Sequence, residues 1–273
     1  MEPDSDILER VDIDEHCIVK FSDINNREKK GLGYYSIIDA RLTLYIANKQ
    51  FTIRQNPNLF HCHKEDTGSV LWRASVACLE YLLSQRWFVC HLQDFQIIEL
   101  GAGISGLGAV LLGEKVDKYI STDREHILKY LYKNIHENLP IKSNIKGKQQ
   151  SIHEETNIFV MELDWFENPN TYLKNLQGLL GKTSKHLCIL AFDTIYNPYI
   201  TIHFVNTLVS IFNFFQERKI FAIIGLELRN YETLYDFLEK MQFHFSIQAI
   251  CDEQLQKGYQ IYFIQSKLKE DMP

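Results

Sequence analysis

No two cysteines in this chain have the Cys-x-x-Cys spacing, and only six occur in 273 residues, at 17, 62, 78, 90, 188 and 251. A disulfide framework is thereby excluded, and a reducing compartment is expected. Long apolar runs are missing as well. None approaches the ~18 residues that crossing a bilayer requires, and the acidic start Met-Glu-Pro-Asp-Ser-Asp lacks the apolar stretch of a targeting peptide. These features lead us to expect a cytoplasmic protein without membrane contact. Positive charge is in deficit: 29 Lys plus Arg against 35 Asp plus Glu leave a net charge of −6. Such a chain has no field to gather it onto nucleic-acid phosphates, and a basic partner suits it better. With 13 glycines and 6 prolines it is neither collagen-like nor of low complexity. No internal repeat is visible, and no Ser or Cys sits in a nucleophile elbow, which removes the case for a hydrolase. What is present is 45% hydrophobic and 23% charged residues, in a length that suits one large domain or one and a half.

Residues 1 to 66 are polar and charge-broken. Within them Leu42, Leu44 and Ile46, then Phe51 and Ile53, alternate around Ala47-Asn48-Lys49, which predicts a β-hairpin. Gly31 and Gly33 mark a turn before it and Asn56-Pro57-Asn58 a turn after it. The run Arg27-Glu28-Lys29-Lys30 reads as a solvated loop. His61 and His63, on one face if extended, fall short of a zinc ligand set, so no metal is expected.

From Thr67 onward apolar strands alternate with amphipathic helices. Helical spacing runs from Val70 to Leu82, a short strand over 95–99, and a small apolar helix from Ile104 to Gly113. Tyr119–Asp123 is a second strand, and Ile127 to Leu139 form the face of the next helix. After a polar insert at 141–156, further strands are predicted at 158–163, 187–192 and 221–226, with two closing strands at 244–250 and 259–264 and a fraying tail after Lys267. Near-continuous apolar strands of this kind are buried on both faces, as in a parallel sheet. Cys188 reads as a small buried thiol, and Phe212, Phe214 and Phe215 as part of a core helix face.

Glu99-Leu-Gly101-Ala-Gly103-Ile-Ser-Gly106 lies between a predicted strand and a predicted helix. Glycines there let a ligand approach the backbone, and the following helix offers unpaired N–H groups. Asp123 ends the next strand twenty residues past Gly103, where a carboxylate can accept from both hydroxyls of a ribose. A nucleoside-containing cofactor is the expectation. Glu99 would repel a pyrophosphate but attract a cationic methionine moiety, which favours S-adenosylmethionine over a nicotinamide dinucleotide; capping a helix or pairing with a lysine is the alternative for it. Asp164 and Trp165 follow the third strand, where they could hold an adenine, although Trp165 also fits the core. Asp193-Thr-Ile-Tyr196-Asn197-Pro198 follows the fourth, and can set a carboxylate and a phenol beside an incoming amine; a buried tyrosine bonded to backbone is the other reading of Tyr196.

These residues resemble the seven-β-strand protein-lysine methyltransferases, marked by an acid-x-x-Tyr motif after strand four. The resemblance covers about residues 67 to 265: the glycine turn at 99 to 106, Ser-Thr-Asp at 121 to 123, Leu-Asp-Trp at 163 to 165 and Asp-Thr-Ile-Tyr at 193 to 196. It implies a Rossmann-like α/β fold, a seven-stranded class I methyltransferase sheet with helices on both faces, over 67–273, preceded by a small β-rich extension over 1–66. It further implies Asp193 and Tyr196 as catalytic residues, with Trp72, Glu99, Gly101, Ala102, Gly103, Asp123, Asp164, Trp165 and Phe192 holding S-adenosyl-L-methionine. The stretch from Val116 to Asp123, the Asp193–Asn197 stretch and Gly225–Arg229 look most like the fungal members that act on large-subunit ribosomal proteins, which would make such a protein the partner. Another protein substrate such as an elongation factor or chaperone, an NAD-dependent oxidoreductase, and a non-catalytic adaptor are the alternatives, and a monomer is expected.

For an amine acceptor, only the neutral form is nucleophilic. From a reference pKa of ~10.4, deprotonating lysine at pH 7 costs about 4 to 5 kcal/mol. Tyr196 or a backbone carbonyl is expected to favour the neutral amine, and Asp193 to guide the cation in and receive its proton through water.

Overall fold

The computed structural model describes residues 2–24, 33–62, 67–139 and 157–267. The basic run Arg27–Lys30, Gly31, His63, the insert 141–156 and the chain beyond Lys267 lie outside the described residues. The N-terminal part gives strand β1 (Leu8–Arg10), helix α1 (Ile13–Ile24), strands β2 (Arg41–Ile46) and β3 (Lys49–Arg54), and helix α2 (Pro57–Cys62). There follow α3 (Arg73–Ser84), α4 (Arg86–Val89), β4 (Phe95–Leu100), α5 (Leu107–Leu112), β5 (Lys118–Asp123) and α6 (Glu125–Asn138). The remainder alternates as β6 (Ile158–Glu162), α7 (Pro169–Leu180), β7 (His186–Phe192), α8 (Pro198–Phe214), β8 (Ile220–Glu227) and α9 (Tyr231–Gln242). The closing strands are β9 (Phe245–Ile250) and β10 (Tyr259–Ser266).

The main sheet has the order β1-β9-β10-β8-β7-β4-β5-β6. β4 pairs in parallel with both β5 and β7, so that Ile98 stands between Ile120 and Ile189. The pairs β5–β6 and β7–β8 are parallel as well, whereas β10 runs antiparallel to β8 and β9. The chain therefore winds outward from β4 in both directions. Between β4 and β7 the connections part, and the carboxyl ends of the strands open a crevice where ligands bind in sheets of this kind.

Both faces of the sheet are covered, which is why its strands carry unbroken apolar runs. In β7, Cys188, Leu190 and Phe192 face the core built with α3, α5 and α6, while Leu187, Ile189 and Ala191 face the one built with α7, α8 and α9. Phe212 and Phe215 lie in that second core and Phe214 is exposed.

Among the described residues eight strands form the main sheet where seven were expected, because β1 pairs antiparallel with β9, Leu8 opposite Ile250. The hairpin forms as predicted. Ala47 and Asn48 take φ of 48° and 62°, the left-handed pair that a two-residue turn needs to match strand twist. Its edge is closed by α6, whose Asn134 side chain exchanges bonds of 2.8 and 2.9 Å with the backbone of Arg54, and whose Asn138 does the same with Thr52. Two local expectations fail. Asn56–Asn58 opens the helix α2, since Pro at the first helical position costs no hydrogen bond, and so His61 is not on a strand. The helix expected from Ile104 begins only at Leu107, after the glycine turn has ended.

Candidate active site

The turn after β4 needs glycine at three places. Gly101, Gly103 and Gly106 have φ of 65°, 60° and 62°, where a Cβ is strained. A Cβ on Gly101 would stand 2.9 Å from Thr194 Cγ2 and 3.1 Å from Trp165 Cζ2, and one on Gly103 would stand 3.3 Å from the Gly68 carbonyl. Gly106 serves packing instead, its missing Cβ falling 2.3 Å from Ile135 Cγ1 of α6. The first two glycines thus keep open a crevice between four connections: after β4, after β5, after β6 and after β7.

Asp123 at the end of β5 fixes this turn. Its Oδ2 accepts from Gly103 N–H and its Oδ1 from Arg124 N–H, each at 2.8 Å. Burial raises its pKa, and those two N–H groups pull it back. Each oxygen keeps a further lone pair for a donor in the crevice.

The cavity has a volume of about 190 Å³ and is lined by Trp72, Gly101, Ala102, Gly103, Asp123, Asp164, Trp165, Phe192, Asp193 and Tyr196. The structure thus brings together every site residue expected from the sequence except one. Glu99 does not line the cavity. Its side chain turns inward, accepting from Tyr119 O–H at 2.9 Å and Ser121 O–H at 3.3 Å, beneath Gly108 of α5. Burial pushes its pKa up to about 7 against those two hydrogen bonds. Glu99, expected to attract a cationic methionine moiety, is placed within β4, before the strand ends, on the face that packs against α5. It pairs with a tyrosine and a serine of β5, neither a helix cap nor a lysine.

A nucleoside fits the residues that remain. Backbone stripped of Cβ atoms lies on one side, an indole on another, and a carboxylate with spare acceptor capacity at the end of β5. Thr194 adds a buried hydroxyl that has no hydrogen-bond partner, on the cavity wall. It is a site residue that sequence reasoning missed, and its place inside the Asp193–Tyr196 motif is the signal that could have found it. Trp165 meets Phe204 edge to face at 5.1 Å, so it belongs to the core and to the cavity wall at once.

Asp193 has φ of 58°, unusual for any residue but glycine, and such a conformation costs on the order of 1–2 kcal/mol. It is held there from two sides. Its N–H donates to the Gly225 carbonyl at 2.7 Å, and its carboxylate receives both terminal nitrogens of Arg229, at 2.9 and 2.5 Å. The Asp193 side chain is 1% exposed; burial raises its pKa while Arg229 opposes the rise. The carboxylate expected to receive a proton through water is held by a guanidinium. The sequence alone assigns Arg229 no role in the site; it follows β8 and also bonds Glu227 at 3.1 Å.

The segment before α3 roofs the cavity. Thr67 O–H donates to the Tyr196 hydroxyl at 2.9 Å, the Trp72 indole N–H donates to the Thr67 carbonyl at 2.7 Å, and the Arg229 guanidinium lies 5.0 Å from the Trp72 ring centre. Tyr196 is half-buried and meets a side chain of this roof. Among the described residues no group of three or more His, Cys, Asp or Glu is placed to hold a metal, and no helix is long and apolar enough to cross a membrane.

Topology and cavity define a doubly wound α/β protein with a ligand site at its switch point. The chain belongs to the lysine methyltransferase family, an S-adenosylmethionine-dependent enzyme family, whose profile it matches over residues 53–244. It is 31% identical over 247 residues to a Schizosaccharomyces pombe protein named diaminohydroxyphosphoribosylamino-pyrimidine deaminase, covering 90% of this chain and 55% of that one. It is 29% identical over 269 residues to ribosomal lysine N-methyltransferase 5 of Candida glabrata, covering 78% of this chain and 76% of that one. The chain thus spans about half the length of the first relative and three quarters of the second. Among solved structures, a SAM-dependent methyltransferase from Agrobacterium tumefaciens aligns with a TM-score of 0.45 at 9% identity, over 88% of this chain and 72% of that one.

Proposed function

We propose that this chain transfers a methyl group from S-adenosylmethionine to the side-chain amine of a lysine in a protein, with a large-subunit ribosomal protein as the substrate. The observation that carries this reading is the Asp193–Tyr196 motif, seated on the wall of the cavity that the glycine turn and Asp123 also line. Family membership supports the lysine acceptor, and the Candida glabrata relative's name supports the ribosomal one.

Asp123 takes the ribose hydroxyls, Asp164 and Trp165 the adenine, and Gly101, Ala102, Gly103, Phe192 and Trp72 form the walls. When bound, S-adenosylmethionine supplies an electrophilic methyl on a sulfonium. The protein's part is to present a neutral amine in line with it. Tyr196 is suited to hold that amine, because it lies on the cavity wall and its hydroxyl accepts from Thr67, which fixes the phenol. Asp193, whose side chain is 1% exposed and held by Arg229, fixes the motif that positions the amine. Burying the amine among Tyr196, Phe192 and Trp72 contributes to the ~4 to 5 kcal/mol that neutralising it costs, and aligned reactants gain further in positioning.

The deaminase name belongs to the fission-yeast protein. Zinc deaminases use a Cys-x-x-Cys pair, which this chain lacks. The test is mass spectrometry of ribosomal proteins from cells with and without the gene. A methylated lysine lost with the gene supports the ribosomal assignment, and an unchanged ribosome with a methyl-lysine lost elsewhere moves the substrate to another protein.

A further inference from the structure

Three aromatic rings from two elements gather beside the cavity, two of them exposed and the third half-buried. Phe166, on the connection after β6, is 49% exposed, and Tyr199, in the first turn of α8, is 69% exposed. Both line the cavity mouth. His203, one turn along α8, completes the group: its ring centre lies 4.0 Å from that of Phe166 and 5.7 Å from that of Tyr199, and Phe166 and Tyr199 are 5.9 Å apart. Two exposed aromatic rings clustered on a half-buried third in this way mark a contact surface.

Carboxylates stand beside it. Glu162 ends β6, Asp164 and Glu167 flank Phe166 in sequence, and Glu125 opens α6. They are close enough that Glu125, Glu167 and Asp164 together add to the rise that partial burial gives the Glu162 pKa. Among the described residues none of the four is paired with a lysine or arginine. Of these, Glu125, Glu162 and Glu167 are exposed, and negative charges next to exposed ring faces complement one chemistry, cations carried on long aliphatic stems: the carboxylates draw the charge and the rings receive the stem and the cation together.

We propose that the Phe166–Tyr199–His203 face, with Glu125, Glu162 and Glu167, docks a Lys/Arg-rich segment of the protein substrate flanking the target lysine. This rests on the lysine methyltransferase reading of the adjoining cavity and deepens it, giving the substrate class a chemical signature: a basic segment next to the modified residue.

The experiment titrates the full chain, saturated with S-adenosylhomocysteine, into two fluorescent peptides that share a central lysine. One has Lys and Arg around it, and the other Ser and Gly. Calorimetry with S-adenosylhomocysteine runs in parallel. The basic peptide should bind at least tenfold tighter and weaken steeply with salt. Glu162→Gln with Glu167→Gln should lower its affinity about tenfold, equivalent to about 1.4 kcal/mol, and flatten the salt dependence, with S-adenosylhomocysteine affinity and thermal midpoint unchanged. Tyr199→Ala should weaken the basic peptide as well. Equal binding of the two peptides, no binding of either, or indifference to the glutamate substitutions overturns the docking proposal, and if S-adenosylhomocysteine still binds, the methyltransferase reading survives it. Loss of S-adenosylhomocysteine binding by the unaltered chain overturns both.

Discussion

Arg229 holds Asp193 with a two-pronged grip, its Nη1 and Nη2 on the two carboxylate oxygens, while the face of the same guanidinium covers Trp72. One side chain from the end of β8 thereby ties the acid of the motif after β7 to the roof of the cavity. Gly33 of the N-terminal part lies against it, for a Cβ there would stand 2.2 Å from Arg229 Nη2.

Arg229→Lys keeps the charge but loses the fork, and lysine cannot reproduce a bidentate, stacked geometry. We expect kcat to fall at least tenfold while the dissociation constant of S-adenosylhomocysteine changes less than threefold. Arg229→Ala leaves a buried carboxylate uncompensated, which costs on the order of 3 kcal/mol. Without the guanidinium, burial raises the Asp193 pKa further, opposed only by a backbone hydrogen bond from Glu227, so the acid limb of the kcat/KM profile moves to higher pH. Steady-state kinetics across pH together with thermal melts measure all three effects.

Asp123→Ala removes the acceptor at the end of β5 and frees the Gly103 N–H that it held. Hydrogen bonds to charged groups contribute about 1.5–3 kcal/mol, so S-adenosylhomocysteine should bind roughly ten- to a hundredfold more weakly by calorimetry. Turnover at saturating donor should fall less. An unchanged affinity would move the ribose contact elsewhere.

Gly101→Ala places a methyl group 2.9 Å from Thr194 Cγ2 at a φ of 65°. The strained backbone alone costs about 1–3 kcal/mol. A lower melting temperature with donor binding lost is the expected outcome; Gly178→Ala, whose Cβ meets nothing within 4 Å, is the control and should be neutral or stabilising.

Glu99 makes stability depend on pH. Its carboxyl titrates at about 7 in the folded chain against an ordinary 4.5, so the folded state holds the proton longer than the unfolded one. Stability is therefore lost as pH rises from about 4.5 to 7, and the burial penalty is complete above that. Glu99→Gln, which stays neutral, should gain stability relative to the unaltered chain between pH 5 and pH 8, by a few kcal/mol. Denaturant melts of both proteins at the two pH values measure it.

The parallel strands are legible in the sequence because burial on both faces writes continuous apolar runs such as Leu187–Phe192, and the site residues because they punctuate the ends of those runs. Helices α7 and α9 also have local signals: Asn168 and Asn230 cap them, accepting from Asn170 N–H and Thr233 N–H, and apolar residues such as Leu173, Leu176 and Leu180 recur at helical spacing. Helix α1 offers little, since of its apolar residues Ile18 and Val19 point to solvent and Cys17 is buried. Strand β1 is three residues long and gains its place only from β9, far away in sequence. The grip of Arg229 on Asp193 is likewise hidden, because pairing across 36 residues is set by tertiary packing, whereas the inward direction of Glu99 follows from its alternation with Phe95 and Ile97 in β4.

The most direct measurement is methyl transfer itself. The purified chain is incubated with methyl-labelled S-adenosylmethionine and a large-subunit ribosomal protein fraction, and the labelled amino acid is identified after hydrolysis. We expect label in N-methyl-lysine, cut at least tenfold by Tyr196→Phe while that variant still binds S-adenosylhomocysteine as the unaltered chain does. Label in a different amino acid, or full transfer by Tyr196→Phe, would contradict that expectation.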